Sequence, residues 1–587
     1  MENEILEHKR HTLSHILASV LEQKYPGIKI TLGPAIDTGF YYDVDFTTET
    51  KPNEAKDFED ITSAMKEKIR AGGNFSHKEV SKDEALEIFK DNEYKIELIN
   101  EIAEKGETIT LYTIDFADGS KFTDLCRGGH AENISEIDLE SFKITHTAGA
   151  YWRGDEKNKM LTRVYGLAFN NKEELLDYEN KIEEAKKRDH RILGRELELF
   201  FFSELVGPGL PLWTPRGTIL RNSVDSFVQE LRAEYGYGEV TIPHLTKKEL
   251  YVKSGHWEKY QEDLFKIETR DGHMLCMKPM NCPHHAQIYA SQLRSYKELP
   301  IRYSETTMVY RDEQSGELNG LSRVLSITQD DAHIFCRENQ IEEEVENIWN
   351  LIEKFYKAFK FEDLKYRFSR RDDNPKFKGN IESWNKAETA IKNILNKRVG
   401  ENYIDGIGEA AFYGPKIDFM AKDAIGREHQ VATIQVDFIQ PTNFGLEYVT
   451  ETGAREMPVM IHCAIAGSLE RFLSVYIEHV AGNFPLWMSP TQVAIIPINN
   501  ENHLDFAKNI SQNLLSKNMR VELKDEKDGL GKKVRYAKDM KIPYWIVVGD
   551  KEVAENKITL ESREGEKFSL SLEELVEKLE SQIKSKS

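Results

Sequence analysis

The run His462-Cys463-Ala464-Ile465-Ala466-Gly467-Ser468-Leu469-Glu470-Arg471-Phe472 gives the reading of this chain its starting point. Far upstream lie Met280-Asn281-Cys282-Pro283-His284-His285 and Thr328-Gln329-Asp330-Asp331-Ala332-His333-Ile334-Phe335, and a strand-loop signal stands at Tyr310-Arg311-Asp312-Glu313. Together the three longer segments supply one thiolate, from Cys282, and two imidazoles, from His333 and His462. Three N/S ligands without a fourth describe a zinc site that keeps one position open for chemistry. Spacing this long does not define a site by itself. A His beside apolar residues is more often a hydrogen-bonded core histidine, and a Cys next to Pro283 can equally be buried packing.

A chain of 587 residues holds several domains, because single cores stop growing at roughly 250 to 300 residues. A hydrophobic fraction of 40% and a charged fraction of 30% are those of a soluble globular protein. No apolar stretch reaches the length of a membrane span, and Met1 to Arg10 is charged instead of signal-like, which predicts a cytoplasmic protein with no membrane partner. The five cysteines, Cys126, Cys276, Cys282, Cys336 and Cys463, are too few and too irregular for a disulfide framework and suit a reducing compartment. The formal net charge of -21 runs against nucleic-acid binding, which needs Lys and Arg on phosphates. Local distribution matters more than the sum. Lys181, Lys186, Lys187, Arg188, Arg191 and Arg195 cluster on one predicted helix, and Lys532, Lys533, Arg535, Lys538 and Lys541 on another. The bland reading of both is a solvated helix face.

The chain reads as a multidomain α+β protein. Residues 1–170 open on a helix with Leu13, Ile16, Leu17, Val20 and Leu21 at helical spacing. They continue with strands such as Phe40 to Phe46 and Thr108 to Ile114 and helices such as Ser81 to Phe89. Residues 171–195 are a charged connector helix. Residues 196–488 are rich in Val, Ile, Tyr and Phe runs broken by Gly and Pro, which predicts a large, mostly antiparallel sheet. From 489 to 587 strands alternate with helices: Val493 to Ile498, His503 to Leu515, Val521 to Leu523, Gly531 to Met540 and Tyr544 to Val548. That pattern predicts a small α/β domain.

These motifs resemble those of the threonyl-tRNA synthetases, a class II aminoacyl-tRNA synthetase family, and the resemblance runs from about Ile5 to the C-terminus. It implies a threonine–tRNA ligase that activates L-threonine with ATP, transfers it to the 3′-terminal adenosine of tRNA(Thr), and hydrolyses mischarged seryl-tRNA(Thr). ATP would be bound without a phosphate loop, since Gly529-Leu530-Gly531-Lys532 lacks the spacing, and Gly406-Ile407-Gly408-Glu409-Ala410-Ala411 is a weak imitation of a dinucleotide fingerprint. The resemblance implies a cationic clamp instead. Arg311 holds the α-phosphate, Glu313 reads the adenine amine, and Arg323 and Arg471 hold the distal phosphates, with Ser468 and Gln435 also at the nucleotide. Guanidinium suits this task because its planar fork pairs bidentately with phosphate oxygens and stays charged. Attack on the α-phosphorus then needs mainly positioning and charge neutralisation, shared with Mg²⁺.

The same resemblance explains why a metal would be used. Threonine differs from valine by a hydroxyl in place of a methyl, so shape discriminates poorly. One Zn²⁺ per subunit, on Cys282, His333 and His462, would take the amino group and the hydroxyl, which valine cannot complete. Asp331, Gln329, Tyr413 and Gln430 would line the threonine pocket. Lys416 falls at a further catalytic position, and His256 matches a residue implicated in proton removal from the tRNA hydroxyl. Two departures stand out: the family usually has Gly where His284 stands, making His284 a competing ligand, and usually Arg where Cys463 stands.

A zinc that rejects valine cannot reject serine, which is only one methyl smaller; that methyl is worth about 1 to 3 kcal/mol. His11-Thr12-Leu13-Ser14-His15 places two imidazoles on one helical face, and Cys126-Arg127-Gly128-Gly129-His130 adds a thiol and a third imidazole at the same offset. Spacing alone leaves a zinc site and a non-metal cluster both open. The resemblance is to the editing domain of threonyl- and alanyl-tRNA synthetases, which in the threonyl branch works without metal, with Tyr42, Lys95 and Asp124 at matching positions. It implies a form lacking the N-terminal ubiquitin-like TGS domain. At the other end, the last domain resembles the anticodon-binding domain of this subgroup, with Arg535, Lys541 and Glu552 at base-contacting positions and Lys532, Lys533 and Lys538 on phosphates. A homodimer is implied by the first class II motif around Pro243. Two other readings are a non-catalytic RNA-binding regulatory paralogue and a hydrolase that only edits; neither needs an intact ATP clamp.

Overall fold

The computed structural model describes residues 2–47, 51–53, 55–361, 363–374, 377 and 381–586. The chain forms two compact units, Met1–Glu183 and Glu184–Ser587. In the first, the helix Glu2–Lys24 buries Leu13, Ile16, Leu17, Val20 and Leu21, the stripe expected from its 3.6-residue period. It packs with the helix Ala55–Ala71 on a sheet ordered Lys29–Ile30, Gly39–Asp45, Met160–Ala168, Phe142–Tyr151. A second antiparallel sheet, Gly73–Val80, Ile109–Phe116 and Lys121–Leu125, delivers the loop that follows Leu125. There Gly128 and Gly129, at φ +97 and +80, take a left-handed conformation that returns His130 beside Cys126.

The second unit is built on an eight-stranded sheet. Its order is Gly238–Glu239, Ile301–Tyr310, Ser326–Cys336, Val459–Ala464, Glu428–Asp437, Lys416–Lys422, Lys365–Arg370, Ile404–Ile407. All pairs are antiparallel except the two at the edges. Side chains alternate across a strand, so each strand divides its residues between two faces. Ala332, Ile334, Ile434, Val436, Ile461, Cys463, Ile417 and Phe419 enter the main core under helices Pro215–Glu234, Ile341–Ala358 and Leu469–His479. The other face carries Gln329, Asp331, His333, His462, Gln435, Lys416 and Asp418. Register sets His333 opposite His462, His462 opposite Gln435, and Gln435 opposite Lys416, a row of polar side chains across four strands.

One expectation is corrected and others gain detail. The connector of residues 171–195 is two helices, Lys172–Arg188 and His190–Glu196, because the Asp189 carboxylate accepts the Arg191 N–H at 2.8 Å and starts a new helix. Its basic residues therefore do not share one face. Gly406 lies in the edge strand Ile404–Ile407, and no helix follows it. The C-terminal sheet, ordered Val521–Leu523, Val493–Pro497, Tyr544–Val548, Ile558–Ser562, Lys567–Leu570, is parallel over its first three strands and antiparallel over the rest. Among the described residues no helix is long and apolar enough to cross a membrane.

Candidate active site

Cys282 begins the helix Cys282–Ala290, with Pro283 in its first turn, where the missing N–H costs nothing. His333 and His462 face it from neighbouring strands, and one donor atom from each of the three lies within 4.8 Å of the others. All three are buried, at 4%, 1% and 5% exposure. Each imidazole has one nitrogen engaged. His462 Nε2 lies 2.9 Å from Asp437 Oδ2, and His333 Nδ1 lies 2.8 Å from His285 Nδ1. The second nitrogen of each ring is left for a ligand, the arrangement that outer partners impose around metal-binding histidines. Burial lowers the His333 pKa well below its usual value and keeps the ring neutral, as ligation requires, while it pushes the Cys282 thiol up. The donor set fits a soft divalent ion. His284, the competing ligand, is 7% exposed, and neither of its ring nitrogens has a hydrogen-bond partner among the described residues. It is not among the three residues brought together.

Around this cluster stand Asp331, which accepts from Asn281 Nδ2 at 3.0 Å, and Tyr413, whose ring stacks on His462 and whose hydroxyl donates to Gln435 at 2.8 Å. Gln435, expected at the nucleotide, thus belongs beside the metal cluster. Gln430, expected there, is engaged elsewhere. It donates to Asp418 at 2.8 Å and accepts from Arg367 at 3.1 Å, in the network that also takes the Lys416 ammonium at 2.9 Å. His256 is fully buried, with Nδ1 2.8 Å from Ser254 Oγ and Nε2 3.8 Å from Cys282 Sγ; burial pushes its pKa down to about 3. Cys463, standing where the family usually has Arg, sits on the core face 3.7 Å from the Tyr237 hydroxyl and beside the Arg232 guanidinium, which comes from a helix.

Along the same sheet face a cavity of about 870 Å³ is lined by Arg311, Glu313, Arg323, Gln329, Ser468 and Arg471, among others. Sequence reasoning placed every one of these in an active site. It missed Arg427 and His429, which also line the cavity and meet at Asp423, at 2.7 and 3.0 Å. Gly467, at φ +67, makes the turn into the helix Leu469–His479, and Ser468 caps that helix by accepting the Arg471 N–H at 3.2 Å. The buried Asp330 carboxylate locks the turn by accepting Ile465 and Ala466 N–H at 2.8 and 2.7 Å, and it pairs with Arg232. Arg323 is held by Glu313 at 2.6 Å and by Glu317 at 3.0 Å.

In the first unit, His11, His15, Cys126 and His130 converge, their donor atoms within 4.8 Å of one another. His11 Nδ1 is 3.2 Å from the Gly129 carbonyl, which can only accept, so Nε2 is unprotonated and faces Cys126 Sγ at 3.6 Å. His130 Nε2 is 3.3 Å from the same sulfur. Burial pushes the thiol up to about 11 and His130 down to about 2, which favours the uncharged form of both. A protonated thiol is no nucleophile. Next to it the Asp124 carboxylate takes both the Tyr42 hydroxyl and the Lys95 ammonium, all three buried. Glu22, unforeseen in the sequence, feels this charge, and desolvation together with Asp124 shifts its pKa upward.

In the C-terminal domain Arg535 is exposed, its nearest carboxylate Asp539 at 3.4 Å. Lys533 is not a phosphate contact. It is 4% exposed and donates to the Lys524 carbonyl at 2.7 Å. Lys541 follows the helix Leu530–Asp539 at φ +52 and donates to the Ala481 carbonyl at 2.7 Å, and Glu552 accepts from Gly549 N and Thr559 Oγ1 at 3.1 and 2.9 Å. Of the three residues expected to read bases, Arg535 is the exposed one, its ion pair with Asp539 lying at the surface.

Three family profiles match the chain: the tRNA synthetase class II core domain (G, H, P, S and T) over residues 265–480, the anticodon binding domain over 492–582, and the threonyl and alanyl tRNA synthetase second additional domain over 109–165. A threonine–tRNA ligase from Cytophaga hutchinsonii is 46% identical over 98% of this chain and 88% of its own. One from Flavobacterium psychrophilum is 48% identical over 94% and 84%, and one from Staphylococcus aureus is 43% identical over 95% and 85%. Among solved structures, the RNA binding domain of a threonyl-tRNA synthetase from Cryptosporidium parvum superposes with a TM-score of 0.64 at 36% identity, covering 67% of this chain and 98% of that one. A Giardia lamblia prolyl-tRNA synthetase at 18% identity, with a TM-score of 0.54 over 69% of this chain and 80% of its own, shares the fold.

Proposed function

This chain belongs to the threonine–tRNA ligase family, and from that premise we propose how its own residues divide the work. It activates threonine with ATP, joins it to tRNA, and carries an editing domain. The ATP clamp is Arg311, Arg323 and Arg471 around the 870 Å³ cavity, with Glu313 at the adenine, Ser468 fixing the start of the Arg471 helix, and Mg²⁺ accompanying the nucleotide. Threonine sits between this cavity and the Cys282, His333 and His462 cluster, with Asp331 and Tyr413 beside it. Zinc held by that cluster, with an open shell that can expand, would take the amino group and the hydroxyl of threonine. His285 and Asp437 orient the two ligand rings, and Gln435 orients Tyr413. Lys416, tied to Asp418, stands next in the row. His256 is assigned to assisting proton removal from the tRNA hydroxyl.

The observation that carries this reading is the cross-strand row His333, His462, Gln435, Lys416, which puts a three-donor cluster on the sheet face that also carries the cationic cavity. ATP–pyrophosphate exchange tests it: threonine and serine should support exchange and valine should not. Exchange with valine at the threonine rate defeats the metal-based selection. Seryl-tRNA hydrolysis is assigned to His11, His15, Cys126 and His130 with Tyr42, Lys95 and Asp124, working without metal, since neutral imidazoles beside a charged pair can hold and polarise water. Arg535 reads an anticodon base, with Lys532 and Lys538 on phosphates. The unpaired cysteines suit a cytoplasmic enzyme, and the segment around Pro243 is assigned to a homodimer interface.

A further inference from the structure

Three segments distant in sequence meet at one imidazole. His190, 3% exposed, opens the helix His190–Glu196 behind the cap Asp189. Its Nε2 accepts the backbone N–H of Leu321 at 3.1 Å, and its Nδ1 lies 2.7 Å from Glu478 Oε1, near the end of the helix Leu469–His479. An amide can only donate, so Nε2 carries no proton and Nδ1 carries the one shared with Glu478. Glu478 is held further by the His190 backbone N–H at 3.1 Å and by the Arg427 guanidinium. The loop comes very close to the ring. Gly320 has φ +51, and a Cβ placed on it would lie 2.3 Å from His190 Nε2. Ser322 Oγ adds a second tie, 3.0 Å from Ser474 Oγ on the Leu469–His479 helix.

We propose that His190 is a positioning residue of the nucleotide site, fixing the backbone of residues 319–323 so that Arg323 can reach the distal phosphates of ATP; this rests on the role given to Arg323 above. His190 lines the cavity, but both of its nitrogens are occupied, so it acts through the loop and touches no phosphate. Arg323 has to leave Glu313 and Glu317 when nucleotide arrives. With the backbone anchored, only the side chain has to move. Without the anchor, phosphate binding must also order the loop, and that ordering lowers affinity for ATP and not for threonine.

The test is ATP–pyrophosphate exchange by the full chain, with the KM for ATP and for threonine measured separately. His190→Phe keeps an aromatic ring, slightly larger, and removes both hydrogen bonds; it should raise the ATP KM about tenfold and leave the threonine KM within about twofold. His190→Gln can again accept the Leu321 N–H and should recover most of the loss. Gly320→Ala, which keeps the histidine but drives the loop and the ring apart, should reproduce the selective rise, and amide exchange over residues 319–323 should quicken in His190→Phe. Arg323→Ala separates the two ideas. If it leaves the ATP KM unchanged, the clamp assignment of Arg323 fails. If it raises the ATP KM while His190→Phe and Gly320→Ala do not, or if both KM values rise together in those variants, the positioning role fails. Should His190→Phe not fold, Gly320→Ala and His190→Gln decide by the same KM split.

Discussion

His285 and His333 meet Nδ1 to Nδ1 at 2.8 Å, and His285 Nε2 is buried with no hydrogen-bond partner among the described residues. Only one proton can sit between the two nitrogens. When His333 supplies it, Nε2 of His333 is a free lone pair; when His285 supplies it, that lone pair is lost. Metal binding therefore selects the first arrangement, and His285 becomes part of the site through its neighbour.

His285→Ala should weaken zinc binding about 10- to 100-fold, the usual cost of removing an outer partner. Cys282→Ala should abolish both bound zinc and threonine activation with the fold largely retained, and His284→Gly should keep the metal. Elemental analysis and chelator competition report all three. Wild-type protein without stoichiometric zinc would falsify the assignment.

His11→Ala combined with His15→Ala should spare threonine-dependent exchange and let seryl-tRNA accumulate. The check is deacylation of seryl-tRNA; a wild-type rate no faster than buffer removes the editing role.

Acid should loosen the first unit. Burial lowers the His15 and His130 pKa values, so below about pH 6.5 the unfolded chain binds protons that the folded chain does not. The stability is fully present above that pH and falls as pH drops toward the folded values. For His15, 2% exposed, the slope is about 1.4 kcal/mol per pH unit. Amide exchange in residues 2–183 should therefore be faster, relative to intrinsic rates, at pH 5.5 than at pH 7.5. Equal protection at both values counts against buried neutral rings.

Arg535→Ala should cost about 1 to 3 kcal/mol of discrimination at one anticodon position, read by comparing cognate tRNA with anticodon-swapped tRNA. Equal losses for both would make Arg535 a backbone contact. Lys533→Ala should act differently. It strands the Lys524 carbonyl and should destabilise the C-terminal domain by about 1 to 3 kcal/mol, with no change in the salt dependence of tRNA binding.

Residues inside a distinctive local run were legible from sequence. Cys282, His333, His462, Arg311, Arg323 and Arg471 each sit in such a run, and the fold gathers the first three at the cluster and the last three at the cavity. What escaped was pairing across strands. Gln435 and Gln430 are five positions apart on one strand, and a register shift between Phe419 and Met420 on its neighbour separates their surroundings, so period-two counting could not sort them between the Tyr413 pocket and the Asp418 network. Lysines misled for another reason: Lys533 and Lys538 look alike in a basic helix, and only the fold shows that one ammonium is buried against carbonyls. The break at Asp189 had a readable signal, an Asp followed by a helical run, that the charge pattern on either side obscured.

The strand Ser326–Cys336 sends Gln329 to the nucleotide cavity and Asp331 and His333 to the metal cluster, while Thr328, Asp330 and Ala332 face the other way. On the proposed assignment both substrates are gauged from one ruler. Insertion of a single residue before Gln329 would turn this strand's recognition groups inward and bring its core side chains out to the ligands. Anyone redesigning this enzyme for a different amino acid must therefore exchange side chains in place and leave the strand's spacing untouched.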